Sequence, residues 1–477
     1  MFMRLIYDEK LAQGAYLIGC QRTGEAIVID PERDADRYVD LANANELRIT
    51  AVAETHIHAD FVSGAREIAE RTGARVYVSG EGGDDWQSRW VGGYDHVILR
   101  DRDTFLIGNI GFTAVHTPGH TPEHMVYLVT DHGSGASEPI AVCTGDFLFV
   151  GDLGRPDLLE TAAGQIGERE PGARRLFAST RWLKDLPEFV QVWPGHGSGS
   201  ACGKALGAVP TSTVGYERRF NNALRAAVGQ GASEQGFVDF ILAGQPEPPL
   251  YFARMKRVNR DGPDVLGGLP QPRQLSLSDI TGLDARQVAI IDTRPWPLYR
   301  DGHLPGAMSF PLRMTFNTDV GSMVGDDEDM YLIIEPECVE EAVRDLVRIG
   351  LDRIKGWIDS AEMAGAAHLA TSIVTTPEVE PAQAANLIDQ GIVDVLDVRR
   401  ATEFAAGHIQ DARNIAHTRL ASRLDELPTN RKLLVHCQGG IRSARACGYL
   451  QRLGYDVINL KDGYEAWQKA HAGATVQ

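Results

Sequence analysis

What the chain lacks narrows it first. It has no stretch of about 18 consecutive apolar residues, so no membrane-spanning helix is expected. Met1 to Lys10 is already charged, and Leu11 to Cys20 is too short and too mixed for a secretory core. The six cysteines (Cys20, Cys143, Cys202, Cys338, Cys437, Cys447) contain no CxxC pair, which excludes a zinc finger and a disulfide framework. They suit a reducing, cytoplasmic setting. Basic residues are outnumbered, 47 Lys and Arg against 65 Asp and Glu, for a formal charge of −18. That surplus argues against nucleic acid or an anionic membrane as partner. A homo-oligomer remains compatible with the composition.

With 477 residues, 43% of them hydrophobic, the chain exceeds a single core and predicts two to four domains. Its densest chemistry lies in Thr55-His-Ile-His-Ala-Asp-Phe-Val-Ser-Gly64, between the apolar run Ile49 to Ala53 and the helix-like Ala65 to Arg71. Loops at strand ends are where sites sit. His56, His58 and Asp60 alternate, so an extended backbone would aim all three at one centre. Taken alone, the stretch is equally a solvated polar turn. Three further strand-like runs end in comparable residues: His116-Thr-Pro-Gly-His120-Thr, Thr144-Gly-Asp146 and Trp193-Pro-Gly-His196. Imidazole and carboxylate without thiolate suit zinc, iron or manganese.

The order HxHxD, HTPGHT, TGD, PGH resembles the metallo-β-lactamase superfamily over roughly residues 1 to 255. The resemblance implies an αββα sandwich with metal at one edge. Dinuclear zinc members usually continue the first motif as HxHxDH, whereas Phe61 follows Asp60 here. An apolar ring in place of a nitrogen ligand disfavours a second zinc. The balance then moves to the persulfide dioxygenases, whose pattern implies one Fe(II) per chain on His56, His120 and Asp146, with zinc as the alternative. His58, Asp60 and His196 would orient ligands or polarise substrate, His196 in a catalytic role. His116 and His124 would be structural. Arg155, in Asp152-Leu-Gly-Arg155-Pro-Asp157, would contact the anionic group of a thiol carrier, unless it forms a surface ion pair. Glutathione-using relatives carry Tyr two residues after the last His; Ser198 stands here, which speaks against a glutathione persulfide and leaves another, such as a coenzyme A persulfide, open. Cys202 is a sulfur acceptor near the site or inert packing.

Pro- and Gly-rich segments over residues 245–250 and 261–272 predict a linker, which places a metal domain at 1–260 and a connection at 261–273. Beyond it lies an internal repeat. Ile291-Asp-Thr-Arg294, Tyr299 and Gly302-His303 match Leu396-Asp-Val-Arg399, Phe404 and Gly407-His408, an offset of 105 residues at each pair. The repeat resembles the rhodanese domain, a parallel α/β fold, present at 274–368 and 374–473. In the second copy Cys437-Gln-Gly-Gly-Ile-Arg442-Ser443 links a strand to a helix N-terminus, where backbone N–H groups stabilise a thiolate and its persulfide. The resemblance makes Cys437 the nucleophile and Arg442 an anion clamp, with Gly439, Gly440 and Ser443 shaping the binding loop. In the first copy Glu335-Pro-Glu-Cys338 is short and acidic, with Pro336 where amides should converge, and predicts an inactive domain.

Together these features imply oxidation of a low-molecular-weight persulfide by O2 to sulfite and thiol, coupled to formation or use of thiosulfate, in sulfide detoxification. The alternatives are a dizinc thioester hydrolase of glyoxalase II type with an appended sulfurtransferase, and a sulfur carrier with a vestigial metal domain.

Overall fold

The computed structural model describes residues 1–368 and 373–471, so the expected end of the second repeat at 473 lies outside the described residues. The chain divides into two compact units. One comprises Met1–Leu269 with Val347–Gly350, and the other the remainder from Pro270 on. Among the described residues no helix is long and apolar enough to cross a membrane.

The first unit is built on two six-stranded sheets. One runs Phe2–Asp8, Gln13–Cys20, Glu25–Ile29, Arg48–Ala53, Arg75–Ser79, His96–Leu99 in spatial order, antiparallel at its start and parallel from Glu25–Ile29 onward. The other runs Ser212–Thr213, Gln191–Pro194, Ala141–Gly145, Met125–Asp131, Ile110–His116, Thr104–Ile107. Strand Gln13–Cys20 shows why its sequence is apolar from Gly14 on. Tyr16, Ile18 and Cys20 enter a core shared with Phe112, Tyr127 and Trp193 of the other sheet, while Ala15 and Leu17 enter a second core with Tyr38, Ala65 and Ile68 of the covering helices. A strand buried on both faces loses the polar alternation of a surface strand. The second sheet's outer face is closed by helices Arg169–Ser179 and Glu234–Leu242 through Leu176, Phe237 and Ile241. This is an αββα sandwich. Strands Arg48–Ala53, Ile110–His116, Ala141–Gly145 and Gln191–Pro194 each lead into one of the four motif loops.

The second unit contains two five-stranded sheets with one shared strand order. The first is Arg273–Gln274, Ile354–Asp359, Asp329–Ile334, Val288–Asp292, Met308–Ser309. Its counterpart is Glu378–Val379, Val457–Leu460, Lys432–His436, Val393–Asp397, Arg413–Asn414. All pairings in both are parallel. Strand Lys432–His436 is followed by the Cys437 loop and helix Ile441–Arg452. At the equivalent place Asp329–Ile334 passes through one tight turn, Pro336–Cys338, straight into helix Val339–Arg348.

Candidate metal centre and sulfur-transfer loop

The Thr55–Gly64 stretch is bent rather than extended; its three alternating side chains stay close, the His56 and His58 rings 4.2 Å apart, but each takes a different partner. His56 joins His120 and Asp146, with one ligand atom of each lying within 4.8 Å of the others, all buried. His58 turns to Asp30, its Nε2 3.1 Å from Oδ1. Asp60 turns to His196, Oδ2 lying 3.2 Å from Nε2. Two distant residues impose the bend. Asp30 Oδ1 accepts the Thr55 N–H at 2.7 Å and its Oδ2 the Thr55 hydroxyl at 2.9 Å. From helix Phe252–Asp261, the Asn259 amide donates to the carbonyls of His58 and Phe61, at 2.8 and 2.7 Å, and accepts from the Ser63 N–H at 2.9 Å. Neither Asp30 nor Asn259 is signalled by the motifs, because nothing local marks partners so far along the chain.

Each imidazole of the cluster has its far nitrogen occupied. His56 Nδ1 lies 2.9 Å from the Thr55 hydroxyl, His120 Nδ1 3.2 Å from the Arg155 carbonyl, and His196 Nδ1 3.2 Å from the Ala12 carbonyl. A second partner of this kind fixes the ring and leaves Nε2 as the ligand atom. Burial holds the His120 imidazole down to about 3 and puts His56 well below the usual range, so both are neutral, as metal ligation requires. Burial alone would also lower His58, but Asp30 outweighs it and raises the group to about 9, leaving a fixed cation. Burial pushes the Asp146 carboxyl up to about 6 against the pull of His196. Both Asp146 oxygens and His196 Nε2 are buried with no hydrogen-bond partner, a cost that a bound cation would remove. Two oriented imidazoles and a carboxylate without a hydrogen-bond partner fit a divalent metal ion.

Gly145 (φ +46°) lets the Asp146 turn approach: a Cβ there would meet the Thr55 hydroxyl at 2.3 Å. His124 accepts the Asp146 backbone N–H on Nε2 at 3.1 Å while Nδ1 meets Thr117, so both of its nitrogens are engaged. His116 binds the Pro122 carbonyl. Cys202 is buried beside Asp60 and His196, the three ligand atoms lying within 4.8 Å of one another. Phe61 is fully buried, its ring 4.4 Å from that of His58.

Arg155, expected at a ligand, is engaged by the protein itself. Its side chain is fully buried and forks onto Asp157 at 3.0 and 2.6 Å, with further donations to the carbonyls of Ala201 and Pro246. Every guanidinium nitrogen is committed to holding loops together. Asp157, two residues on, was the visible signal for that pair.

At the second-copy loop, Cys437 is buried, and the carbonyls of Cys437 and Gln438 accept from the N–H groups of Tyr464 and Glu465, at the start of helix Gly463–His471. Gly463 admits this contact, since a Cβ would meet the Cys437 carbonyl at 2.4 Å. Gly440 takes the left-handed conformation (φ +88°) as the cap of helix Ile441–Arg452, whereas Gly439 has open space around it. The Ser443 hydroxyl donates to the Gly440 carbonyl at 3.1 Å. Arg442 forks onto Glu403, both bonds 2.7 Å, a partner the loop motif does not announce.

Known proteins show the same division. The family described as "Metallo-beta-lactamase superfamily" matches residues 11–196, and that described as "Rhodanese-like domain" matches 380–470. A solved metallo-beta-lactamase from Staphylococcus aureus subsp. aureus COL is 39% identical, with a TM-score of 0.67, over 75% of this chain and 98% of its own. That share exceeds the first unit, so the likeness continues into the second. Among curated relatives, the hydroxyacylglutathione hydrolase of Rhodospirillum rubrum is 32% identical over 38% of this chain and 60% of its own. The probable polyketide biosynthesis zinc-dependent hydrolase BaeB of Bacillus velezensis is 26% identical over 44% of this chain and 84% of its own.

Proposed function

Since the chain belongs to the metallo-β-lactamase superfamily and carries a rhodanese-like domain toward its C-terminal end, we propose that it oxidises a low-molecular-weight persulfide to sulfite and thiol and transfers sulfane sulfur at Cys437. The observation that carries this reading is a ligand set ending at His56, His120 and Asp146, with His58 committed to Asp30 and Phe61 packed beside it. Two His and one carboxylate with open positions is the arrangement of non-haem iron oxygenases. Bound Fe(II) would supply the vacant positions and the redox chemistry that sulfur oxidation by O2 requires.

The chain's own residues do the rest. His58, paired with Asp30, stands beside the cluster without supplying it a ligand. His196 presents a free Nε2 to Asp60 and Asp146, where it holds a proton in exchange with a bound substrate. At Cys437, the thiolate attacks the outer sulfur of thiosulfate, the S–S bond breaks, sulfite leaves with the electron pair, and a cysteine persulfide remains. An acceptor thiolate then takes that sulfur, or the sequence runs in reverse on sulfite.

A second reading has an observation of its own. Asp60, His196 and Cys202 form another triad of ligand-type atoms, with Asp146 Oδ1 3.3 Å from His196 Nε2, which favours a dinuclear thioester hydrolase. Anaerobic purification with metal quantification, then oxygen-electrode assays with glutathione and coenzyme A persulfides, separates the two. About one iron per chain and oxygen uptake lost in His120→Ala are expected. Two zinc ions per chain with thioester hydrolysis would overturn the oxidative reading.

A further inference from the structure

The repeat copy without a catalytic loop is docked on the helix that leaves the Cys437 loop. Three residues on one face of Ile441–Arg452 make the contact, spaced three and four apart as one helix face requires. Arg445 Nε donates to Asp319 at 2.8 Å. Gly448 lies against Met308–Ser309 so closely that a Cβ would meet the Ser309 nitrogen at 2.8 Å. Arg452 donates to the carbonyls of Ala285 and Val288 and pairs with Glu328.

Asp319 is the centre of this contact. It lies on helix Phe316–Gly321 of the first copy, and both it and Arg445 are buried. Oδ2 also accepts from the Thr315 hydroxyl at 2.8 Å, and Oδ1 lies 3.1 Å from His417 Nε2. Asp319 therefore reaches the catalytic loop from two sides. Through Arg445, whose Nη1 donates to the Ile441 carbonyl at 2.9 Å, it holds the first turn of the helix. Through His417, whose N–H donates to the Val398 carbonyl, and Val398, whose N–H donates to the His436 carbonyl, it holds the strand end preceding Cys437.

We propose that Asp319 is a positioning residue for Cys437, and that the first copy serves to hold the sulfur-transfer loop in register. This rests on the sulfur-transfer reading of Cys437. A buried carboxylate shared between Arg445 and His417 cannot be lost without leaving Arg445 unpaired out of water, so the helix N-terminus and the loop amides it aligns would shift.

The test uses the full chain in thiosulfate:cyanide transfer, with the alkylation rate of Cys437 by iodoacetamide, followed by mass spectrometry, as a readout independent of turnover. Asp319→Asn is expected to lower kcat about tenfold at unchanged KM for thiosulfate and to alter Cys437 alkylation severalfold, with Asp319→Glu restoring most of both. His417→Gln, which leaves the Arg445 pair in place, should give a smaller effect of the same kind and decides the matter if Asp319→Asn does not fold. Wild-type kcat and alkylation in Asp319→Asn would overturn the proposal. So would a loss that tracks melting temperature and is not rescued by Glu. If the wild type transfers no sulfur while Asp319→Asn still changes alkylation, the sulfur-transfer reading falls and the positioning role stands.

Discussion

Asp30 Oδ1 lies 3.1 Å from His58 Nε2, and this pairing separates the two histidines of the HxH motif into different tasks. The same carboxylate reaches His56 through the Thr55 hydroxyl. One carboxylate thus orients the His56 ring through Thr55 and engages the His58 ring directly.

Asp30→Asn keeps the size of the side chain and removes its charge. Metal affinity should fall by about 10- to 100-fold, the range for loss of a ligand-orienting partner. Competition with a chromophoric chelator measures it. Unchanged affinity would mean that the Thr55 relay does not align His56.

Asn259 ties the loop carbonyls of His58 and Phe61 to helix Phe252–Asp261. Asn259→Ala leaves those two carbonyls and the Ser63 N–H without their partner, at about 1 to 3 kcal/mol for each buried group left unsatisfied. Hydrogen exchange should quicken across residues 57–63 before it does in the sheets. Equal protection in both proteins would show the loop to be held otherwise.

Glu403 partly neutralises Arg442 beside Cys437. Glu403→Gln removes one negative charge from the mouth of the loop, and the KM for thiosulfate should fall severalfold, the more so at low ionic strength. A rise in KM would instead mean that the pair sets the geometry of Arg442.

His303 is buried, stacks on Tyr299 at 3.8 Å and donates from Nδ1 to the Tyr299 carbonyl at 2.8 Å. Burial holds its imidazole down to about 4. A histidine depressed on folding contributes stability above its unfolded value, about 6.5, and that contribution is lost as pH falls through 4. Between these limits the second unit should lose up to about 3 kcal/mol from this group. In His303→Asn the drop in urea midpoint from pH 7 to pH 4 should shrink accordingly.

The sandwich, its strand-end loops and the repeat were legible because each is written locally: apolar runs ending in His or Asp, and a paired Asp-x-Arg and Gly-His at fixed offset. What sequence reasoning missed is long-range. Asp30, Asn259 and Glu403 act on residues 28, 201 and 39 positions away, and periodicity carries no information on such pairs. The two misplaced expectations have different causes. Alternation in HxHxD implied an extended segment, but side chains from elsewhere capture its backbone groups and bend it. Arg155 was assigned to a ligand although its own neighbour Asp157 satisfies it.

His56 and Asp60 leave the edge of one sheet, while His120, Asp146 and His196 leave the other. An ion held by both sets is a rivet across the seam of the sandwich. Peeling the layers apart and releasing the ion then become one event, so thermal resistance of the first unit should rise with the free concentration of its metal and collapse under a chelator.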